Sequence, residues 1–248
     1  MDYALITGAT SGIGYELAKI FAEKGYGLVL VSSSETNLSK TKEQIEVNVT
    51  VPIYIIKQDL TKLGAAQELY HKIEVEKIPI SVLINNAGFG LVGETQEIDL
   101  LQDEAMMMIN VINLVELSKL FIHKMYKRKN GIILNVSSTG AFQPGPYTST
   151  YFASKAFVLS YTRAIRYEAK GKGIQVSTLC PGATKTKFFD REQVATPISA
   201  MSARKVAQIA YQGLIKNKEI IVPGMKNKLL QLFPLKLRMY AVANMKKA

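Results

Sequence analysis

A chain of 248 residues, 48 % hydrophobic and 21 % charged, fits one globular α/β domain, and with no low-complexity tract and no repeat of roughly 20–50 residues it excludes disordered, fibrous and solenoid classes. The net charge of +11 admits an anionic partner, but Lys and Arg are scattered, with enrichment only near 124–129 and 226–247, and no nucleic-acid recognition motif appears, so no nucleic-acid binding is expected. The single cysteine, Cys180, cannot form an internal disulfide; with no signal-peptide pattern at the start and no run of about twenty apolar residues, a cytoplasmic protein is the expectation.

Residues 2–7 are a short apolar run ending in Thr7-Gly8-Ala9-Thr10-Ser11-Gly12-Ile13-Gly14, after which Leu17, Ala18, Phe21 and Ala22 recur at helical spacing. Strand, glycine turn and helix in that order suit a phosphate: glycines let the backbone approach a ligand, and free amides at a helix start favour an anion. A simple tight turn would explain one glycine; three, at 8, 12 and 14, exceed that need. Residues 27–31 read as a second buried strand, and the runs 51–56, 82–84, 132–136, 174–179 and 220–222 as later ones, with helices between them. Strands apolar throughout and separated by helices imply a doubly wound parallel sheet of about seven strands, with helices on both faces and a ligand site at the strands' carboxyl ends. Those ends carry the polar residues: the glycine turn, Ser32-Ser33-Ser34, Asp59-Leu60, Asn85-Asn86-Ala87-Gly88, Ser137-Ser138 and Pro181-Gly182-Ala183-Thr184. Each alone would be a cap or turn. Six in the same structural position make a site.

The chemistry lies in residues 135–155. Tyr151 and Lys155 are four apart, so on a helix the phenol and the ammonium share one face. A phenol titrates at about 10, and a nearby cation favours the phenolate, which suits proton transfer near neutrality. Spacing alone is a weak signal, because Tyr15 and Lys19 share it and read as an ordinary helix-surface pair. Context separates the two: Ser137 and Ser138 end an apolar run upstream of Tyr151, and a Gly- and Pro-punctuated loop lies between. His71 and His123 fall in helical, motif-free stretches and read as surface residues, and no metal-ligand cluster is present.

In the order and separation of the glycine turn, Asp59-Leu60, Asn85-Asn-Ala-Gly88, Asn110, Ser138, Tyr151-x-x-x-Lys155 and Pro181-Gly182, the chain resembles the short-chain dehydrogenase/reductase family from about residue 3 to about residue 190. The downstream stretch looks most like bacterial keto-acyl and ketone reductases. The resemblance implies a Rossmann-type single domain with Gly8, Ser11, Gly12, Ile13 and Gly14 under the cofactor pyrophosphate. It implies Asp59 and Leu60 at the adenine, Asn86, Ala87 and Gly88 along the adenosine ribose, and Pro181, Gly182 and Thr184 beside the nicotinamide. Tyr151 would be the general acid in ketone reduction, Ser138 would hydrogen-bond the substrate carbonyl, Lys155 would bind the nicotinamide ribose, and Asn110 would hold a water linking Lys155 to solvent. At the end of the second strand an acid would select NAD. Ser33 stands there, followed by Ser34, so NADP is the expected cofactor and NAD the alternative, although the Arg common in NADP-preferring relatives is missing.

Residues 185–203 correspond to the family's substrate lid, where Phe188, Phe189, Ile198 and Met201 would line an apolar pocket or pack the lid down. The tail, 225–248, mixes Leu229, Leu230, Leu232, Phe233, Leu235, Leu237, Met239 and Tyr240 with Lys and Arg, and Pro234 breaks it into two short helices. It is expected to pack over the substrate cleft or a subunit contact in preference to an anionic membrane. The helix from Met106 through Tyr126 is apolar on more than one face, consistent with pairing in a homodimer or homotetramer. The chain thus reads as an NADP-preferring carbonyl reductase acting on an apolar ketone or 3-oxoacyl substrate. Its rivals are a cofactor-binding regulatory protein that has lost its chemistry, and a peripheral-membrane lipid reductase anchored by the tail.

Overall fold

The structure, a computed structural model, describes residues 1–186, 188, 197 and 200–246. Its strands in chain order are β1 (Tyr3–Thr7), β2 (Gly27–Ser32), β3 (Ile53–Lys57), β4 (Ile80–Asn85), β5 (Gly131–Val136), β6 (Ile174–Leu179), β7 (Thr184–Lys185), β8 (Met201–Ser202) and β9 (Ile220–Ile221). Among the described residues, seven form one sheet in the order β3-β2-β1-β4-β5-β6-β9, and every pairing in it is parallel. The β7–β8 pair, which sequence reading did not foresee, stands apart as a two-residue parallel contact at the two ends of the lid segment.

Successive strand residues face opposite sides of the sheet, so strands covered on both sides must be apolar at nearly every position. Ala4, Ile6, Leu28 and Leu30 pack with Leu17 and Phe21 of α1 (Gly12–Glu23) and with Val206, Ala210 and Leu214 of α7 (Ala203–Ile215). Leu5, Val29 and Val31 pack on the other side with Leu69 and Ile73 of α3 (Ala65–Val75) and with Leu117, Phe121 and Met125 of α5 (Asn113–Arg128). Gln175, Ser177 and Thr178 of β6 depart from this pattern, as does the edge strand β3, where Tyr54 is exposed.

From β1 the chain winds outward to β3, then crosses back to β4 and winds the other way, so the carboxyl ends of β1 and β4 flank the switch point where this topology opens a crevice. Behind that edge, Asn85 Nδ2 donates to Asn135 Oδ1 (2.9 Å) and Ser118 Oγ (3.1 Å), and Asn135 Nδ2 donates to Thr162 Oγ1 (3.0 Å). This buried network ties β4 and β5 to α5 and to α6 (Ser149–Glu168).

Residues 100–128 form one continuous helical stretch: α4 (Leu100–Met107), a π-helical turn (Met108–Ile112) and α5. By length and composition this stretch is apolar enough to cross a membrane, contrary to the expectation from the sequence, yet its inward face packs as a core helix through Leu114, Leu117, Phe121 and Met125. The remaining helices among the described residues that carry the fold are α2 (Glu35–Glu46), a 3-10 turn (Thr139–Phe142), and, on either side of Pro234, α8 (Met225–Leu230) and α9 (Leu235–Lys246). His71 and His123 are exposed.

Candidate active site

The glycine turn lies at the carboxyl end of β1. Gly8 has φ +65°, a left-handed conformation open to glycine at little cost, and the Gly8 amide donates to Val31 O (2.9 Å). Ser11 is the residue before α1, but its side chain makes no capping hydrogen bond, so the first-turn amides that no helix can satisfy internally stay available to an anion. A Cβ on Gly14 would run into Gly8 O and the Asn86 amide, and one on Gly12 would lie 2.7 Å from Thr186 Cγ2. The turn is therefore packed against Asn86 on one side and the root of the lid segment on the other, and Ile13 stands half-buried between.

Asn86 and Thr7 lock the ends of β1 and β4 together. Asn86 Nδ2 donates to Thr7 O (3.0 Å) and Gly8 O (3.1 Å), while Thr7 Oγ1 accepts from the amides of Asn86 and Ala87 (both 3.0 Å). Thr7 was singled out only as the first residue of the turn. Further along the crevice, Asp59 Oδ1 accepts from the amide (3.0 Å) and hydroxyl (2.8 Å) of Thr61, and buried Leu60 is held through its carbonyl by Asn113 Nδ2 (2.9 Å). At the end of β2, Ser33 is exposed, Ser34 Oγ caps α2 by accepting from Asn37 N (3.3 Å), and the hydroxyls of Ser32 and Thr10 lie 3.3 Å apart. Capping occupies an acceptor of Ser34 and leaves its O–H free to donate.

Three groups converge at the other end. A Cβ on Gly88 would lie 2.5 Å from Asn110 Oδ1 and 3.3 Å from Lys155 Nζ, so only glycine lets these two side chains meet the backbone there. Asn110 is fully buried in the π-helical turn, a local widening of the helix that is common at functional sites. It donates to Phe89 O (2.9 Å) and Ser154 Oγ (3.1 Å), and Ser154 Oγ donates to Tyr151 O (2.7 Å). Lys155 is 4 % exposed; its Nζ donates to Val136 O (3.1 Å) and lies 5.7 Å from the Tyr151 ring centroid. Burial pushes its ammonium down to about 8, and the neighbouring Cys180 opposes that shift. Burial pushes the Cys180 thiol up to about 12, so it stays protonated behind the lysine. The half-buried Tyr151 ring lies 5.5 Å from that of Phe188.

The two serines after β5 do different work. Ser137 is buried and donates to Lys155 O (2.7 Å), fixing α6 against the strand end. Ser138 is half-buried, and its Oγ accepts from Gly140 N (3.0 Å) at the start of the 3-10 turn. Thr139 N donates to Pro181 O (2.9 Å), which brings the turn after β6 alongside.

The C-terminal tail closes this side. A Cβ on Gly182 would lie 2.6 Å from Asn227 Nδ2, while Thr184 Oγ1 donates to Gly182 O (2.9 Å). Arg238 Nη1 donates to Phe142 O (3.1 Å) and Gln143 Oε1 (3.2 Å), at the far end of the turn that Ser138 opens. The inner side of the tail thus lies along the cleft wall. Of the lid residues, Phe188 and Met201 are described, whereas Phe189 and Ile198 lie outside the described residues. Sequence reading missed the roles of Thr7, Ser137, Ser154, Asn113, Asn227 and Arg238. Ser154 left a signal in being one turn from Tyr151 on the same helix, and Ser137 in standing at a polar strand end.

The positive-φ glycine, the uncapped helix start and the side-chain-free approach at Gly88 are what a dinucleotide requires. The family profile described as short chain dehydrogenase matches residues 2–196, and the chain belongs to that family. It is 33 % identical over 192 residues to the very-long-chain 3-oxoacyl-CoA reductase of Anas platyrhynchos, covering 75 % of this chain but 61 % of that protein, so it spans less than two thirds of that relative's length. It is 31 % identical over 226 residues to the ketoacyl reductase HetN of Nostoc sp., covering 88 % of this chain and 77 % of that one. Among solved structures, a short-chain dehydrogenase from Sphingobium yanoikuyae in complex with NADPH superposes with a TM-score of 0.87 at 26 % identity, covering 100 % and 98 % of the two chains.

Proposed function

We propose that this short-chain dehydrogenase is an NADP(H)-preferring reductase that converts an apolar ketone or a 3-oxoacyl substrate to the alcohol. The observation that carries the reading is the convergence of Asn110 Oδ1, Lys155 Nζ and the Gly88 backbone beside Tyr151. A catalytically silent binder would have no use for a buried ammonium at that point, and the two curated relatives named above are reductases.

A nicotinamide cofactor supplies the hydride when bound. The glycine turn and the start of α1, with Ser11 and Ile13, would hold its pyrophosphate, Asp59 and Leu60 its adenine, Asn86, Ala87 and Gly88 its ribose, and Pro181, Gly182 and Thr184 its nicotinamide. The Tyr151 phenol gives its proton to the substrate oxygen. The Ser138 hydroxyl, its oxygen already accepting from Gly140, donates to the same oxygen and stabilises the developing charge. The Lys155 ammonium stabilises the phenolate left behind, and Asn110 holds the water through which the proton is replaced. No acid ends β2, where Ser33 and Ser34 can donate to a 2′-phosphate, which supports NADP over NAD.

The same reading includes a cytoplasmic homodimer or homotetramer paired through the helical stretch 100–128, where Leu100, Leu101 and Ile112 are exposed. Fluorescence titration with NADPH and NADH, followed by turnover of apolar ketones and 3-oxoacyl thioesters, tests the function. Tighter NADPH binding with ketone-dependent oxidation is expected. Binding without turnover of any of them would overturn the reductase.

A further inference from the structure

The tail carries apolar side chains on its outer side as well as on its inner one. On α9 the half-buried or buried positions are Arg238, Met239, Val242, Ala243 and Lys246, while Leu235, Leu237, Tyr240 and Met245 are exposed. A surface helix ordinarily keeps its outer side polar. Met225, Leu229, Leu230, Leu232 and Phe233 continue the exposed set through α8, so nine large apolar side chains stand 45 to 80 % exposed within residues 225–245. The rest of the described chain exposes eleven such side chains, most of them singly, so this concentration is a patch and not background.

The charges in the same segment have one sign. Residues 220–248 contain six Lys or Arg and no Asp or Glu, and Lys226, Lys228 and Lys236 are exposed beside the apolar side chains. We propose that the outer side of α8 and α9 docks on an anionic lipid surface. The apolar side chains enter the boundary between headgroups and acyl chains, and the three lysines meet the lipid phosphates. A second copy of the chain fits the patch less well: a two-fold interface joins two copies of the same basic patch, with no acid in the segment to answer the doubled positive charge. A bilayer supplies an apolar layer and negative charge together. The docking is independent of the reduction chemistry, and because Asn227 and Arg238 fix the inner side of the same tail to the cleft wall, it sets the mouth of the cleft at the bilayer.

Co-sedimentation of the full chain with vesicles of neutral phosphatidylcholine, and of phosphatidylcholine with about 30 % phosphatidylglycerol, tests the proposal. The protein is expected to pellet with the anionic vesicles only, and its partition coefficient to fall at least about tenfold as salt rises from roughly 0.05 to 0.5 M. The variants L237E/Y240E and K226Q/K228Q/K236Q should each lose pelleting with an unchanged melting midpoint, while V47E, at an exposed site on the far side of the sequence, should keep it. No pelleting, equal pelleting with neutral vesicles, or an L237E/Y240E variant that splits an oligomer in sedimentation velocity yet still binds vesicles would overturn it, the last assigning the patch to a second copy.

Discussion

Two Tyr-x-x-x-Lys pairs occur in this chain with nearly the same local geometry. Lys19 Nζ lies 5.5 Å from the Tyr15 ring centroid on α1, and Lys155 Nζ lies 5.7 Å from that of Tyr151 on α6. The helical repeat sets both separations, so spacing cannot distinguish them. Their surroundings do. Tyr15 and Lys19 are half-exposed at the rim of the core, where a cation over a ring contributes about 0.5–1 kcal/mol and no chemistry. Lys155 is buried against Val136 O, Gly88 and Cys180, and there its proton affinity is set by desolvation. A pair becomes a site through what covers it.

The sharpest way to break the comparison is to remove the same atom from each pair. Tyr151→Phe is expected to lower kcat by about 10²–10⁴, the usual worth of a positioned general acid, whereas Tyr15→Phe should stay within about twofold in steady-state kinetics. Equal effects would dissolve the distinction. Gly88→Ala tests the covering itself. The added methyl meets Asn110 Oδ1 at 2.5 Å, and losses of about 1–3 kcal/mol in denaturant unfolding and at least about tenfold in kcat are expected.

Acidity gives a smaller but more selective readout. The Lys155 ammonium sits at about 8 when folded against an ordinary 10.5, so between those values the unfolded chain holds the extra proton and stability rises with pH. The Cys180 thiol, ordinarily at 9.0 and here raised to about 12, acts with the opposite sign above about pH 9, where the unfolded chain loses its proton first. The window is therefore pH 8 to 9, with a rise of up to about 1 kcal/mol in unfolding free energy that Lys155→Met should abolish and Lys19→Met should not. Smallest of all, Arg238→Ala removes the hydrogen bonds to Phe142 O and Gln143 Oε1 and should raise KM severalfold while leaving kcat within about twofold. A fall in kcat alone would place Arg238 nearer the reacting atoms than its contacts do.

Much of this architecture could be read before any coordinates. Leu5 facing one helix layer and Ile6 the other explains why β1 is apolar at nearly every position, and the same alternation marks each inner strand as one of a parallel, doubly covered sheet. At the edge strand β3 the apolar run, 51–56, begins ahead of the strand Ile53–Lys57, because one side of an edge is open and its apolar run is no guide to its ends. Of the candidate site, the glycine turn, the polar strand ends and the Tyr151 and Lys155 pair were legible as local patterns. The pairing of Asn110 with Gly88 and Ser154 was not, since it depends on a π-helical turn that no spacing announces.

The sequence by itself determined the periodicities, and with them the layer order, the edge of the sheet that holds the site and the break of the tail at Pro234, because these follow from covalent geometry within a few residues. Only the tertiary structure decided which Tyr–Lys pair is covered, that Thr7 clasps amides 79 and 80 residues away, and that the tail turns Arg238 inward while Lys226, Lys228, Lys236 and its leucines face out. Desolvation and long-range hydrogen bonds are properties of neighbours in space, and distant residues that become neighbours leave no period in the chain.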